Sequence, residues 1–253
     1  MEKQPLVSVI TPCHNMEKYV AETVQSVRNQ TYSHWEMLIV CDASTDGTVD
    51  ILKSLAAQDE RIKLTIINSH SGIAEARNQA IKQAQGHYLA FLDADDLWHP
   101  EKLERQLRFM QEKHIGFSYS SYDLVNENSV LLNKSVNARK DMNYRSYLRN
   151  TIIGCSTVMI DTDIVGPVIV PDFRTSEDTA TWLNILRQGY QANVIPQPLV
   201  SYRIRSKSAS SNKLKASHDL WTVYRRQEKM SFFKALFYFC CYVFNAIKKR
   251  ILS

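Results

Sequence analysis

The feature that most constrains this chain is a regular alternation, over its first hundred residues, of short apolar runs with stretches of helical spacing. Leu6, Val7, Val9 and Ile10 make an apolar run closed by Thr11 and Pro12, which reads as a buried strand entering a loop. Tyr19, Val20, Thr23, Val24 and Val27 then repeat at helical spacing within 16–30. A second strand is expected over 35–40, stopped by the polar stretch 42–47, with a helix over 48–57. A strand over 62–67, a helix over 73–84 and, after Gly86, a strand over 87–92 complete the pattern. Such alternation predicts βαβ units, a mostly parallel sheet and right-handed crossovers. In sheets of this kind ligands bind beyond the carboxyl ends of the strands. Chemistry is therefore expected in the loops after the first, second and fourth strands, at 12–15, 42–46 and 93–96.

Composition excludes several alternatives. A chain of 253 residues can bury a sizeable core. Five cysteines, odd in number and without a Cys-x-x-Cys, support neither a zinc cluster nor a disulfide framework, and a reduced cytosolic setting fits best. The polar start at 1–5 does not read as a signal peptide. The formal charge of +5 divides unevenly. Residues 1–200 hold 19 Lys and Arg against 24 Asp and Glu, whereas residues 201–253 hold 12 against two. An acidic body with a basic tail points to an anionic partner at one end only.

Asp93, Asp95 and Asp96 place three carboxylates within four residues. They raise one another's pKa unless a cation sits among them. Asp93-Ala94-Asp95 suits a hard divalent ion, Mg²⁺ or Mn²⁺, held with substrate phosphates. The plain alternative is a solvated turn in which Asp95 or Asp96 caps a helix starting near Pro100.

These loops together resemble family 2 glycosyltransferases. The segments that carry the likeness are 7–15 (Val-Ser-Val-Ile-Thr-Pro-Cys-His-Asn), 26–32 (Ser-Val-Arg-Asn-Gln-Thr-Tyr) and 42–48 (Asp-Ala-Ser-Thr-Asp-Gly-Thr). Segments 72–78 (Gly-Ile-Ala-Glu-Ala-Arg-Asn) and 88–96 (Tyr-Leu-Ala-Phe-Leu-Asp-Ala-Asp-Asp) follow in the same order. The likeness resumes at Ser176-Glu177-Asp178, ahead of a helix over 179–188, and at Tyr202-Arg203-Ile204-Arg205 with Ser208 and Ser210.

The resemblance implies a GT-A fold and transfer of a sugar from a nucleotide sugar with inversion. It places Pro12 and His14 at the nucleoside and Asp42 at the base, and brings Arg77 toward the nucleotide or diphosphate. Asp95 would hold the metal, Ala94 would lie in the same donor-binding loop, and Asp93 would meet the ribose or a metal-bound water. Asp178 would be the catalytic base with Glu177 beside it near the acceptor, and Arg203 and Arg205 would sit over the diphosphate. Three positions depart from the family pattern: Cys41 replaces the first of a pair of aspartates, His14 a common tyrosine, and Arg205 a frequent histidine.

Inverting transfer needs a cation to offset charge on the leaving diphosphate, a base for the acceptor hydroxyl, a donor pocket and a positive contact to the leaving group. Each is available from a different strand end. Ser176-Glu177-Asp178 also reads as a helix cap with acids in the first turn, where the macrodipole keeps a carboxylate ionised but makes it a weaker base. The plain alternative for Arg77 is a solvated residue on a helix face. His14, His70, His87 and His99 lack paired metal-ligand spacing and read as ordinary loop or strand-end residues. Cys13 and Cys41 are expected at the ends of neighbouring strands as small buried residues.

Residues 1–212 are expected to form the catalytic domain, with 1–114 binding the donor and 115–212 the acceptor. Within it, 115–125 reads as a strand and 126–141 as a hairpin or mobile loop. Residues 213–253 form a basic tail with seven aromatics between Phe232 and Phe244. Its uninterrupted apolar stretch, 235–244, is far short of the ~20 residues needed to span a bilayer. Flanked by Arg225, Arg226, Lys229, Lys234, Lys248, Lys249 and Arg250, it suits an amphipathic helix lying in an anionic membrane surface. The alternative is a helix packed on the domain or on another subunit. No docking motif for nucleic acid accompanies the charge.

The expected function is metal-dependent transfer of glucose or galactose from a UDP-sugar, in β-linkage, to a sugar on a polyprenyl diphosphate. The setting would be O-antigen or other surface polysaccharide synthesis, at the cytoplasmic face of the plasma membrane. A sugar nucleotidyltransferase would need a Gly- and Arg-rich loop at 11–16, where neither residue occurs. The remaining alternative is a nucleotide-binding membrane scaffold without turnover.

Overall fold

The first strand, β1 (Val7–Cys13), is buried along its whole length, and so is β2 (Trp35–Asp42). Strands covered on both faces carry near-continuous apolar runs, which is the pattern their sequences show. The computed structural model describes residues 4–173, 176–206 and 213–252. Ser208 and Ser210 lie outside the described residues, as do the side chains of Lys248, Lys249 and Arg250.

β1 pairs in parallel with β2 on one side and with β4 (Tyr88–Phe91) on the other, and β3 (Ile62–Ile67) pairs in parallel with β2. The connecting helices are α1 (Val20–Arg28), α2 (Thr48–Gln58) and α3 (Ile73–Gln83). Every element expected in the first hundred residues is present, so the α/β class with a largely parallel sheet holds.

Beyond β4 the sheet changes character. After β5 (Leu97–Trp98) and α4 (Lys102–Lys113), β6 (Phe117–Val125) leads through a hairpin into β7 (Leu131–Val136). α5 (Tyr144–Arg149) and β8 (Met159–Asp161) precede α6 (Thr162–Val165) and α7 (Glu177–Arg187). The strand order is β3-β2-β1-β4-β8-β6-β9-β5, with β7 beside β6. β8 runs antiparallel to both β4 and β6, whereas β6 and β9 (Asn193–Arg203) are parallel.

β9 was not legible in the sequence because Pro196 and Pro198 interrupt it, and proline within a run argues against an interior strand. The structure tolerates them through a register shift: Ser120 opposes Ile195 but Ser121 opposes Pro198. Two apolar layers flank the sheet. One joins Val20, Val24 and Val27 of α1 to Leu103, Leu107 and Met110 of α4. The other joins α3, α5 and α7 to the C-terminal helices α8 (Lys213–Thr222) and α9 (Phe232–Leu252).

Trp182 anchors α7 in that second layer. Its ring meets Phe91 edge-on at 5.2 Å and Phe117 at 5.4 Å. A buried Trp in such a setting stabilises by roughly 3–5 kcal/mol relative to Ala. Because Phe91 ends β4, this contact fixes the start of α7 beside the acidic loop that follows β4.

Candidate active site

The strand-end loops and the start of α7 enclose a cavity of about 850 Å³, within the size range of small-ligand sites. Pro12, His14, Asp42, Arg77, Asp93, Ala94, Asp95, Glu177, Asp178 and Arg205 all line it. Residues separated by almost two hundred positions thus share one wall. Arg203 is not among them.

Asp42, at the end of β2, organises one side. Its Oδ1 accepts hydrogen bonds from the Ser71 backbone N–H at 2.8 Å and the Ser71 hydroxyl at 3.2 Å. Its Oδ2 accepts one from the Gly72 N–H at 2.8 Å and lies 2.9 Å from His70 Nδ1. Burial would raise the Asp42 pKa, but the donors from Ser71 and Gly72 and the nearby His70 outweigh it and hold the carboxyl below its usual range. Gly72 has φ +91°, a backbone conformation that glycine reaches without strain, and it turns the chain into α3. The His14 and His70 rings stand 4.7 Å apart across the cavity wall. His70 was read as an ordinary loop residue; its pairing with Asp42 becomes visible only when the loop after β3 folds back over β2.

In the acidic loop the three aspartates have separate surroundings. Asp93 Oδ1 is 2.5 Å from Arg77 Nη2, and Arg77 Nη1 is 2.7 Å from Glu177 Oε1. Arg77 is 2% exposed, so it is not a solvated helix residue: its two terminal nitrogens pair with Asp93 and Glu177, which ties α3, the acidic loop and α7 together. Asp95 Oδ2 lies 2.6 Å from Arg205 Nε. Its pKa is raised by burial, partly countered by Arg205 and reinforced by Asp93. Asp96 is buried, accepting from Ser156 Oγ at 2.6 Å and from the Arg203 N–H at 2.8 Å. Neither Asp95 nor Asp96 caps the next helix; α4 begins at Lys102 without a side-chain cap.

At the start of α7, Asp178 Oδ1 accepts from the Thr179 N–H at 2.6 Å. The macrodipole was expected to keep this carboxylate a weak base, but its pKa moves the other way. Burial dominates, and the Asp93 charge adds to it against Arg77. Glu177 is pushed up to about 7, chiefly by burial, with Arg77 opposing and Asp178 adding to the rise. Glu177 Oε2 is buried and has no hydrogen-bond partner among the described residues.

Arg203 corrects another expectation. Its Nε donates to the Asp95 carbonyl at 2.6 Å, Nη1 to the Glu127 carbonyl and Ser129 Oγ, and Nη2 to Glu22 Oε2 at 2.8 Å. These bonds turn it away from the cavity and lock the β6–β7 hairpin to the acidic loop. Tyr122, Tyr202 and Phe173 add aromatic faces that motif reading did not assign. Cys13 and Cys41 oppose each other at the ends of β1 and β2, both buried as expected. A separate cluster, His87, Asp161 and Asp163, has spacing that could hold a metal. It lies at the start of β4, the opposite end of the sheet, and Asp161 there already caps α6.

The donor set around the cavity fits a divalent cation. Asp95 presents a carboxylate beside that of Asp93, and a guanidinium already stands as a positive charge against it.

Several known proteins resemble this chain. Residues 8–165 match the glycosyl transferase family 2 description. The Bacillus subtilis (strain 168) protein named for teichuronic acid biosynthesis, glycosyltransferase TuaG, is 47% identical over 98% of this chain and 98% of its own. The Escherichia coli UDP-Glc:α-D-GlcNAc-diphosphoundecaprenol β-1,3-glucosyltransferase WfgD is 39% identical over 86% of this chain and 85% of its own. Among solved structures, the Pyrobaculum calidifontis mannosyltransferase PcManGT in complex with GDP-Man and Mn²⁺ shares the fold, with a TM-score of 0.67. Its sequence is 20% identical over 91% of this chain and 66% of that one.

Proposed function

Because the chain belongs to glycosyl transferase family 2, we propose that it transfers glucose from UDP-glucose, with inversion, to a sugar carried on a polyprenyl diphosphate. The observation that carries this reading is the convergence of Asp42, Asp93 and Asp95 from strand ends with Glu177 and Asp178 of α7 on one cavity. The choice of glucose and of a lipid diphosphate rests on the activity named for WfgD.

Asp42 orders the loop that carries His70, and His14 and His70 flank the nucleoside. Asp95, with Asp93 beside it, would hold Mn²⁺ or Mg²⁺. When bound, that ion offsets the negative charge growing on the departing diphosphate. Asp178 takes the proton from the acceptor hydroxyl as its oxygen bonds to the anomeric carbon. The bond from that carbon to the diphosphate breaks, and UDP leaves with the electron pair. Arg77 holds Glu177 and Asp93 through its two ion pairs. Tyr122, Tyr202 and Phe173 offer apolar faces to the sugars.

A donor panel decides between this reading and a non-catalytic binder. UDP-glucose with Mn²⁺ and a short-lipid GlcNAc diphosphate is expected to yield a product heavier by one hexose in mass spectrometry. UDP binding without transfer from any nucleotide sugar would instead favour a scaffold.

A membrane-bound acceptor requires the cavity to come to the bilayer. No helix among the described residues is long and apolar enough to cross one. α9 instead divides its faces. Ala235 and Tyr238 are in the core beside Tyr147 and Leu148 of α5. Phe233, Phe237 and Phe244 are 81%, 53% and 68% exposed along one stripe. Arg149 of α5 stands 5.7 Å over the Phe237 ring. Apolar rings rimmed by cations suit an anionic interface, where each Lys or Arg contributes on the order of 1 kcal/mol. Removing α9 outright would also open the core, so the informative variant is Phe233→Ser/Phe237→Ser/Phe244→Ser. It is expected to lose at least about ten-fold in partitioning to phosphatidylglycerol vesicles, since interfacial binding scales with the apolar area buried. Unchanged partitioning in a folded triple variant would place the membrane contact elsewhere.

A further inference from the structure

The two arginines of the closing motif are held in very different ways. Arg203 has a fully buried side chain and four hydrogen bonds. Among the described residues Arg205 makes one ion pair, from Nε to Asp95 Oδ2 at 2.6 Å, and that nitrogen is not aligned along a hydrogen bond. Its side chain is 18% exposed, lies 5.5 Å from the centre of the Tyr19 ring and lines the cavity.

The backbone on either side is pinned. Ile204 N–H donates to the Val125 carbonyl at 2.9 Å, and Ser206 donates through both its N–H and its hydroxyl to Glu127 Oε1 at 2.9 Å. The backbone around Arg205 is thus held while its side chain lines the cavity. The two carboxylates of the acidic loop differ in the same sense. Asp93 is tied to Arg77, whose side chain is 3% exposed and has a second carboxylate to hold it in place. Asp95 is tied to Arg205, which lines the cavity.

We infer that Arg205 is an exchangeable counter-charge, which yields Asp95 to the divalent cation and moves to the donor diphosphate. This inference rests on the proposed cation site and deepens it. Arg205 already neutralises Oδ2 of Asp95, and a second positive charge at that carboxylate is repelled by it, so cation and guanidinium compete for Asp95. A diphosphate in the cavity removes the conflict, because its oxygens accept the displaced guanidinium in charge-assisted hydrogen bonds. Cation and nucleotide must then strengthen each other's binding by the same factor. Asp95 keeps a partner throughout, which avoids an uncompensated buried carboxylate.

The test is Mn²⁺ binding, measured by electron paramagnetic resonance of the free ion, with and without UDP. In the unaltered protein Mn²⁺ alone is expected to bind weakly, and UDP to strengthen it at least ten-fold. Arg205→Gln should bind Mn²⁺ alone at least five-fold more tightly, while the strengthening by UDP shrinks to a few-fold. Arg205→Lys, which keeps the charge, should retain most of the coupling. Asp95→Asn should abolish Mn²⁺ binding in every background. Arg205→Gln with unchanged or weaker Mn²⁺ affinity, alongside Mn²⁺ binding that needs Asp95, would overturn the exchange and leave the cation site standing. No Mn²⁺ binding by any form, even with UDP, would overturn both.

Discussion

Asp178→Asn is expected to lower turnover by roughly 10²–10⁴-fold, the usual contribution of a positioned general base, while UDP binding stays unchanged. The fold should survive, because the Asn carbonyl oxygen can accept the Thr179 N–H that Asp178 Oδ1 now accepts at 2.6 Å. The donor-side contacts of Asp42 and Asp95 do not pass through Asp178, so the loss should fall in kcat. Acidity supplies a second signature. A base works only when ionised, and burial raises the Asp178 pKa. Activity should therefore fall, as pH drops, at a value above that of an ordinary carboxylate. In Glu177→Gln a negative neighbour is gone and Arg77 has one partner fewer, so both changes ease ionisation of Asp178. The acid limb should then move to lower pH. Full turnover in Asp178→Asn would remove it from the chemistry and leave Glu177 as the base.

Asp95→Asn should also cost about two to three orders of magnitude, since one electrostatic contact to a developing charge contributes roughly 2.7–4 kcal/mol. Here the loss arises on the leaving-group side. An amide offers neither charge to a cation nor an ion pair to Arg205, which now stands 2.6 Å away. Turnover should respond little to added Mn²⁺ in this variant, whereas Asp178→Asn should keep its response. Equal Mn²⁺ dependence in the two variants would show that the cation acts somewhere other than Asp95. The contrast separates the two ends of the transfer without reference to fold stability.

The N-terminal half was legible because its information is local. A parallel strand buried on both faces needs an unbroken apolar run, and the loop at its carboxyl end needs polar residues; both signals lie within ten positions of each other in β1, β2 and β4. Asp42, Asp93 and Asp95 could thus be placed at one end of the sheet before any coordinates. The C-terminal half was less legible. β9 hides behind two prolines accommodated by a register shift, and α5 is only six residues long.

What each arginine does was the part that spacing could not reach. Arg77, Arg203 and Arg205 are alike as cations in motif segments, yet one bridges the carboxylates of Asp93 and Glu177, one locks a hairpin and one pairs with Asp95 at the cavity. The same holds for Asp178, where the helix terminus alone suggested a weaker base and burial, with the Asp93 charge adding to it, raised its pKa instead. Periodicity along the chain determined the alternating strands and helices, the largely parallel sheet and the end of it at which chemistry would sit, because those depend on neighbours in sequence. Only the tertiary structure decided which charges meet, because ion pairing and burial depend on distances between residues up to a hundred or more positions apart.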